Sequence, residues 1–127
     1  MVTKYFNVLK PDIYNADCPS RSVLDRIGDK WTALIVLVLR DGPLRFSRLR
    51  TRVGGVAPKV LAETLRRLER DGLLTRTAHA EVPPRVDYEL TALGYSLAEP
   101  ITAMTAWAEE HLRDITRARE RYDRLVA

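Results

Sequence analysis

At 127 residues, with 46% hydrophobic and 30% charged side chains, the chain has room for one compact domain and too many apolar residues for disorder. Its longest apolar run, Ala33 to Leu39, spans 7 residues, against the roughly 20 needed to cross a bilayer. A single cysteine, Cys18, excludes a disulfide framework within the chain and a multi-cysteine zinc site, and the net charge of +4 permits nucleic-acid binding without requiring it.

Residues 1–17 mix Tyr5, Phe6, Val8, Leu9, Ile13 and Tyr14 with polar residues around Pro11 and show no clear period, so they read as an irregular arm. From Pro19 the spacing of Val23, Leu24 and Ile27 predicts a helix, with Ser20 as its cap and Gly28 as its stop. Asp29 caps a second helix, Lys30 to Arg40. Its apolar middle has strand propensity, but its length, the Asp cap and the Asp41-Gly42-Pro43 stop favour a buried helix. After a short strand at Leu44 and Arg45, Ser47 is expected to cap a short helix with Leu49 and Val53 inward and Arg48, Arg50 and Arg52 outward.

Gly54 and Gly55 make a turn, and Pro58 opens a longer helix to about Asp71. Leu61, Leu65 and Leu68 share its inner stripe, whereas Lys59, Ala62, Glu63, Arg66, Arg67 and Arg70 take the other faces. Leu73 to Ala80 and Arg85 to Leu90 alternate as strands, joined by Glu81-Val82-Pro83-Pro84, and read as a hairpin. Thr91 begins a helical run to about Tyr122 that Pro100 should kink or divide. Ile101, Met104, Ala108, His111, Ile115, Ala118 and Tyr122 then step by 3 and 4, the spacing of a helix-pairing seam.

The expected class is therefore mainly α with a small β-hairpin wing (α+β), a winged helix-turn-helix whose last helix carries a pairing seam. The arm occupies 1–17, the DNA-binding region 18–92 and the dimerisation helix 93–127. Charge follows this division. Residues 21–70 carry 12 basic against 5 acidic side chains, residues 71–127 carry 7 against 10, and 17 of the 21 cations are arginine, whose planar fork suits phosphates and guanine edges.

The sequence resembles the HxlR-type regulators, a branch related to MarR proteins. Cys18-Pro19, Ile27-Gly28-Asp29-Lys30-Trp31, Asp41-Gly42-Pro43-Leu44-Arg45-Phe46 and Pro58-Lys59-Val60-Leu61 carry the resemblance. Leu68-Glu69-Arg70-Asp71-Gly72-Leu73, the run Glu81 to Thr91 and Leu93-Gly94 continue it, so that it spans about residues 18–112. It implies a homodimeric transcriptional regulator on a palindromic operator, dimerising through its N- and C-terminal helices. Ala57, Ala62 and Glu63 depart from the family's commoner Ser, Thr and Gln, and Arg48 stands where an acidic residue is frequent.

On this reading Lys59, in the first turn of the reading helix, leads into the major groove beside Pro58, Ala62 and Glu63. Arg66 and Arg67 take phosphates or guanines or pair with Glu63 and Glu69, Ser47 and Arg48 meet a phosphate, and Arg76, His79 and Arg85 serve the wing. The resemblance also places a sensing thiol at Cys18, where the helix start and Arg21 favour a thiolate. It would pair with a second copy, form a mixed disulfide or be alkylated by an electrophile; otherwise it is a small buried hydrophobe. A small aromatic or aldehyde effector in a dimer crevice lined by Trp31, Met104, Trp107 and His111 is the alternative switch, and ordinary core and dimer packing of those residues leaves a ligand-independent DNA binder. No metal or cofactor is expected, and an enzyme is disfavoured because His79 and His111 lie in different elements and no phosphate-cradling loop is present. RNA or ribosome association is the other binding class. The expected setting is the cytoplasm.

Overall fold

The computed structural model describes residues 10–127; the arm residues Tyr5, Phe6, Val8 and Leu9 lie outside the described part. Helix α1 spans Pro19–Ile27, α2 Lys30–Leu39, strand β1 Leu44–Arg45, α3 Phe46–Arg52 and α4 Pro58–Arg70. They are followed by β2 Leu74–His79, β3 Arg85–Leu90, α5 Ala92–Glu110 and α6 Leu112–Val126. No helix among the described residues is long and apolar enough to cross a membrane.

Helix α2 is the centre of the fold because it is apolar on nearly every face. Ile35, Val36 and Leu39 are fully buried, and the carboxylate of Asp29 accepts from the Thr32 amide at 3.1 Å, satisfying an N-terminal donor. Around α2 pack Leu49 of α3, the inner stripe Leu61, Leu65 and Leu68 of α4, Leu74 and Leu90 of the sheet, and Ala98 and Ile101 of α5. The sheet has the order β1-β3-β2, all antiparallel, with Leu44 opposite Tyr88 and His79 opposite Arg85.

The exit from α4 is closely tied. Gly72 adopts a left-handed φ of 76° after Asp71, which lets the Leu73 amide reach back to the Leu68 carbonyl at 2.9 Å. The Thr91 hydroxyl then donates to the Gly72 carbonyl at 2.6 Å and accepts from the Gly94 amide at 3.1 Å, so one side chain ends α4 and starts α5.

Four expectations are corrected. Ser20 does not cap α1: Pro19 takes the first helical position and leaves Cys18 as the N-cap residue, while the Ser20 hydroxyl donates to the Cys18 sulfur at 3.0 Å. Nor does Ser47 cap α3, because pairing of β1 with β3 holds Arg45 extended and the chain enters the helix directly at Phe46. Pro100 does not divide the last helix; α5 runs through it, held on α2 by buried Ala98 and Ile101 and by a 2.7 Å bond from Arg40 to the Thr102 hydroxyl. The break comes at His111, where φ of −102° and ψ of 11° leave the helical range. Ile101 is also removed from the free seam: at 3% exposure it belongs to the core.

Candidate nucleic-acid interface

Helix α4 presents its unburied faces next to the wing. Lys59, Arg66, Arg67 and Arg70 are exposed, and Ala62 and Glu63 are half-buried, while the leucine stripe and Thr64 face inward. Pro58 occupies the first helical position, and the first bond inside the helix runs from the Leu61 amide to the Ala57 carbonyl at 2.9 Å. The amides of Lys59 and Val60 consequently precede the helical ladder, giving the leading end of α4 a positive dipole and free donors. Among the described residues no ion pair joins Glu63 or Glu69 to Arg66 or Arg67, so these guanidiniums are free for an outside anion.

Two grooves flank this helix. One, of about 200 Å³, is lined by Glu63, Arg66, Arg67 and Arg70. The other, of about 410 Å³, lies between α4 and the sheet and brings Ala62, Arg66 and Glu69 together with Arg76 of β2 and Tyr88 of β3. Ser47 and Arg48 are exposed on α3, ahead of the turn into α4.

The wing differs from a simple cationic finger. His79 Nε2 lies 3.0 Å from Asp87 Oδ2, and Arg85 lies 3.5 Å from both Asp87 and Glu81. Two carboxylates therefore hold the tip's arginine and histidine. The pairing is legible in the sequence, since residues 85 and 87 share a strand face and 81 and 85 are four apart.

Cys18 sits half-buried at the head of α1. The Ser20 hydroxyl donates to its sulfur, and the backbone amides of Asp12 and Ser20 add to it; these donors favour the thiolate and hold the thiol below its ordinary range. Because the thiolate is the nucleophile, alkylation at neutral pH should be faster than for a free cysteine. Replacing Ser20 with Ala removes the largest of these donors, so the midpoint of the pH–rate curve for iodoacetamide labelling, followed by mass spectrometry, should move upward. A superimposable curve for S20A contradicts the assignment.

Of the expected crevice residues, the Trp107 ring packs on His111 at 4.8 Å, and Trp31 lies under the Lys30 ammonium at 4.4 Å. Met104 lines a small apolar groove of about 110 Å³ with Leu24, Ile27 and Leu97. A larger apolar groove, of about 400 Å³, lies beside it between α1 and α5, walled by Val23, Ile27, Leu73, Leu93, Leu97 and Pro100. Sequence spacing missed it because its two walls are far apart in the chain.

Helices α3 and α4 with the adjoining wing form a winged helix-turn-helix with a basic second helix, and residues 26–116 match the HxlR-like helix-turn-helix family. The chain belongs to the HxlR-like family. It is a transcriptional regulator with a DNA-binding helix-turn-helix. Among HxlR-like relatives, it is 42% identical over 109 residues to the HTH-type transcriptional regulator YtfH of Escherichia coli, covering 86% of each chain. The solved ytfH regulator from Salmonella typhimurium superposes with a TM-score of 0.82 at 41% identity, over 87% of this chain and 99% of that one. The redox regulator HypR in its reduced form superposes with a TM-score of 0.70 at 34% identity, over 79% and 98%.

Proposed function

We propose that this HxlR-like chain works in the cytoplasm as a homodimer that reads a palindromic duplex, with residues 18–92 as the reading unit and 93–127 as the pairing segment. The observation that carries the reading is the row of exposed, unpaired cations on α4, Lys59, Arg66 and Arg67, beside Arg76 across the wing groove. Lys59 enters the major groove first, next to Pro58, Ala62 and Glu63; Arg66 and Arg67 take phosphate or guanine; Ser47 and Arg48 take the flanking backbone.

Pairing is favoured because neither α1 nor α6 has any buried residue in the single chain, although both carry apolar stripes. Val23 and Leu24 of α1 and Met104, Trp107, Leu112 and Ile115 of the last two helices are exposed, with Ala108 and the half-buried His111 between them. A two-fold axis through such a face sets the two α4 helices about one DNA turn, roughly 34 Å, apart.

A thiol switch at Cys18 is the regulatory part of the proposal, supported by its hydrogen-bonded sulfur and by the similarity to a redox regulator. With diamide, two thiols of paired chains would each lose a proton and an electron to form the disulfide, and diamide would become its hydrazine. Modification by an electrophile would instead form one carbon–sulfur bond. A second reading, an apolar or aromatic effector, is favoured by the groove between α1 and α5.

Footprinting on DNA upstream of the protein's own and neighbouring genes tests the reading, with binding compared against random duplex at rising salt. Protection of a symmetric site is the expected result, and equal binding to every duplex contradicts it. Cys18→Ser should retain that binding and lose its sensitivity to diamide. If C18S is still released by diamide, the thiol switch is excluded, and a quench of Trp31 or Trp107 fluorescence by phenols or aldehydes would then favour the effector reading.

A further inference from the structure

Helix α1 buries none of its side chains, yet its last turn is fastened to the far end of the reading helix. Arg26 Nε donates to Asp71 Oδ2 at 2.8 Å, across 45 positions of sequence. Among the described residues this is the one ion pair that joins distant elements; the others lie within the hairpin or at the start of α6.

Asp71 follows the last turn of α4, where the helix dipole disfavours a carboxylate. Arg26 reverses that penalty. Its guanidinium lies near the carbonyl ends of α1 and α4 together, so it favours both helix ends while neutralising Asp71. The next two residues are also fixed, Gly72 by the Thr91 hydroxyl and Leu73 by the backbone of Thr91, the N-cap of α5, whose amide donates to the Leu73 carbonyl at 3.1 Å. The trailing end of α4 is therefore a joint of α1, α4 and α5. Helix α1 brings to that joint the uncovered apolar face and, at its head, Cys18.

We propose that Arg26 and Asp71 are positioning residues for DNA reading: their ion pair fixes the tilt of α4 against α1, and so connects the state of α1 to the angle at which α4 enters the groove. The proposal rests on α4 being the reading helix. It requires no contact of either residue with DNA.

The sign of one substitution separates positioning from bulk charge. Asp71→Arg adds positive charge, which by counterion release alone raises affinity for any duplex. Positioning predicts that the ratio of affinity for the footprinted site to affinity for random duplex falls instead, by about tenfold. Arg26→Asp should lower the same ratio, and the double reversal R26D/D71R should restore most of it. Asp71→Asn, a milder change, keeps the test open if a reversal fails to fold, and should lower the ratio several-fold. A ratio unchanged or raised in D71R and D71N, or no recovery in the double reversal, overturns the link while leaving the DNA reading intact. A wild-type protein that does not distinguish the two duplexes overturns the DNA reading and this proposal with it.

Discussion

Gly94→Ala is expected to destabilise the fold by about 3 kcal/mol or more, although alanine is the better helix former by roughly 1 kcal/mol. A Cβ at position 94 would overlap the Leu73 carbonyl oxygen and stand 3.0 Å from Leu90 Cδ2. Leu73 cannot move aside, because its amide is bonded to Leu68 and its carbonyl to the Thr91 amide. The clash is with anchored backbone and outweighs the propensity gain. A fall in Tm of about 10 °C should appear in thermal unfolding followed by circular dichroism. A G94A protein as stable as the parent would show that α5 does not sit this close to the α4 exit.

Replacing Lys59, Arg66 and Arg67 together with Ala removes six cations from a dimer, so it should weaken binding to the footprinted duplex on the order of 100-fold or more near physiological salt and reduce the salt slope by about 5. Stability should stay within about 0.5 kcal/mol, since all three side chains are exposed and outside every ion pair among the described residues. Loss of binding with an unchanged melting curve thus separates recognition from folding. Fluorescence anisotropy across a salt series measures both quantities, and an unaltered slope would mean that these cations do not touch phosphate.

The recognition effect was legible in the sequence, whereas the clash at Gly94 was not, because Leu73 and Gly94 meet only in the fold. The leucine stripe of α4 and its basic outer faces follow from helical periodicity, so the burial of Leu61, Leu65 and Leu68 and the exposure of Arg66 and Arg67 were legible without coordinates. The Asp29 cap was legible for the same local reason. Caps failed where a stronger constraint competed: a proline at the first position of α1, and strand pairing of Arg45 before α3. Pro100 misled because a lost backbone donor on an exposed face costs less than giving up the packing of Ala98 and Ile101. The placement of Ile101 in the seam failed because 3-4 spacing does not say which neighbour covers a stripe, the chain's own α2 or something outside it.

Contacts across long separations had no local signature. The Arg26–Asp71 pair and the groove between α1 and α5 arise only when distant segments meet. At the wing, where the charges lie close in sequence, Arg85 must leave Glu81 and Asp87, at 3.5 Å each, to meet a phosphate, so its contribution to binding is a difference between two ion pairs and smaller than that of Arg66 or Arg67.

Two copies of this chain are proposed to read a symmetric duplex through paired α4 helices, and the decisive measurement is selection of bound sequences from a random duplex library by the full-length protein. Enrichment of an inverted repeat whose half-sites lie about one helical turn, roughly 10 base pairs, apart is expected. Enrichment of a single unpaired half-site, or of no sequence at all, would contradict it.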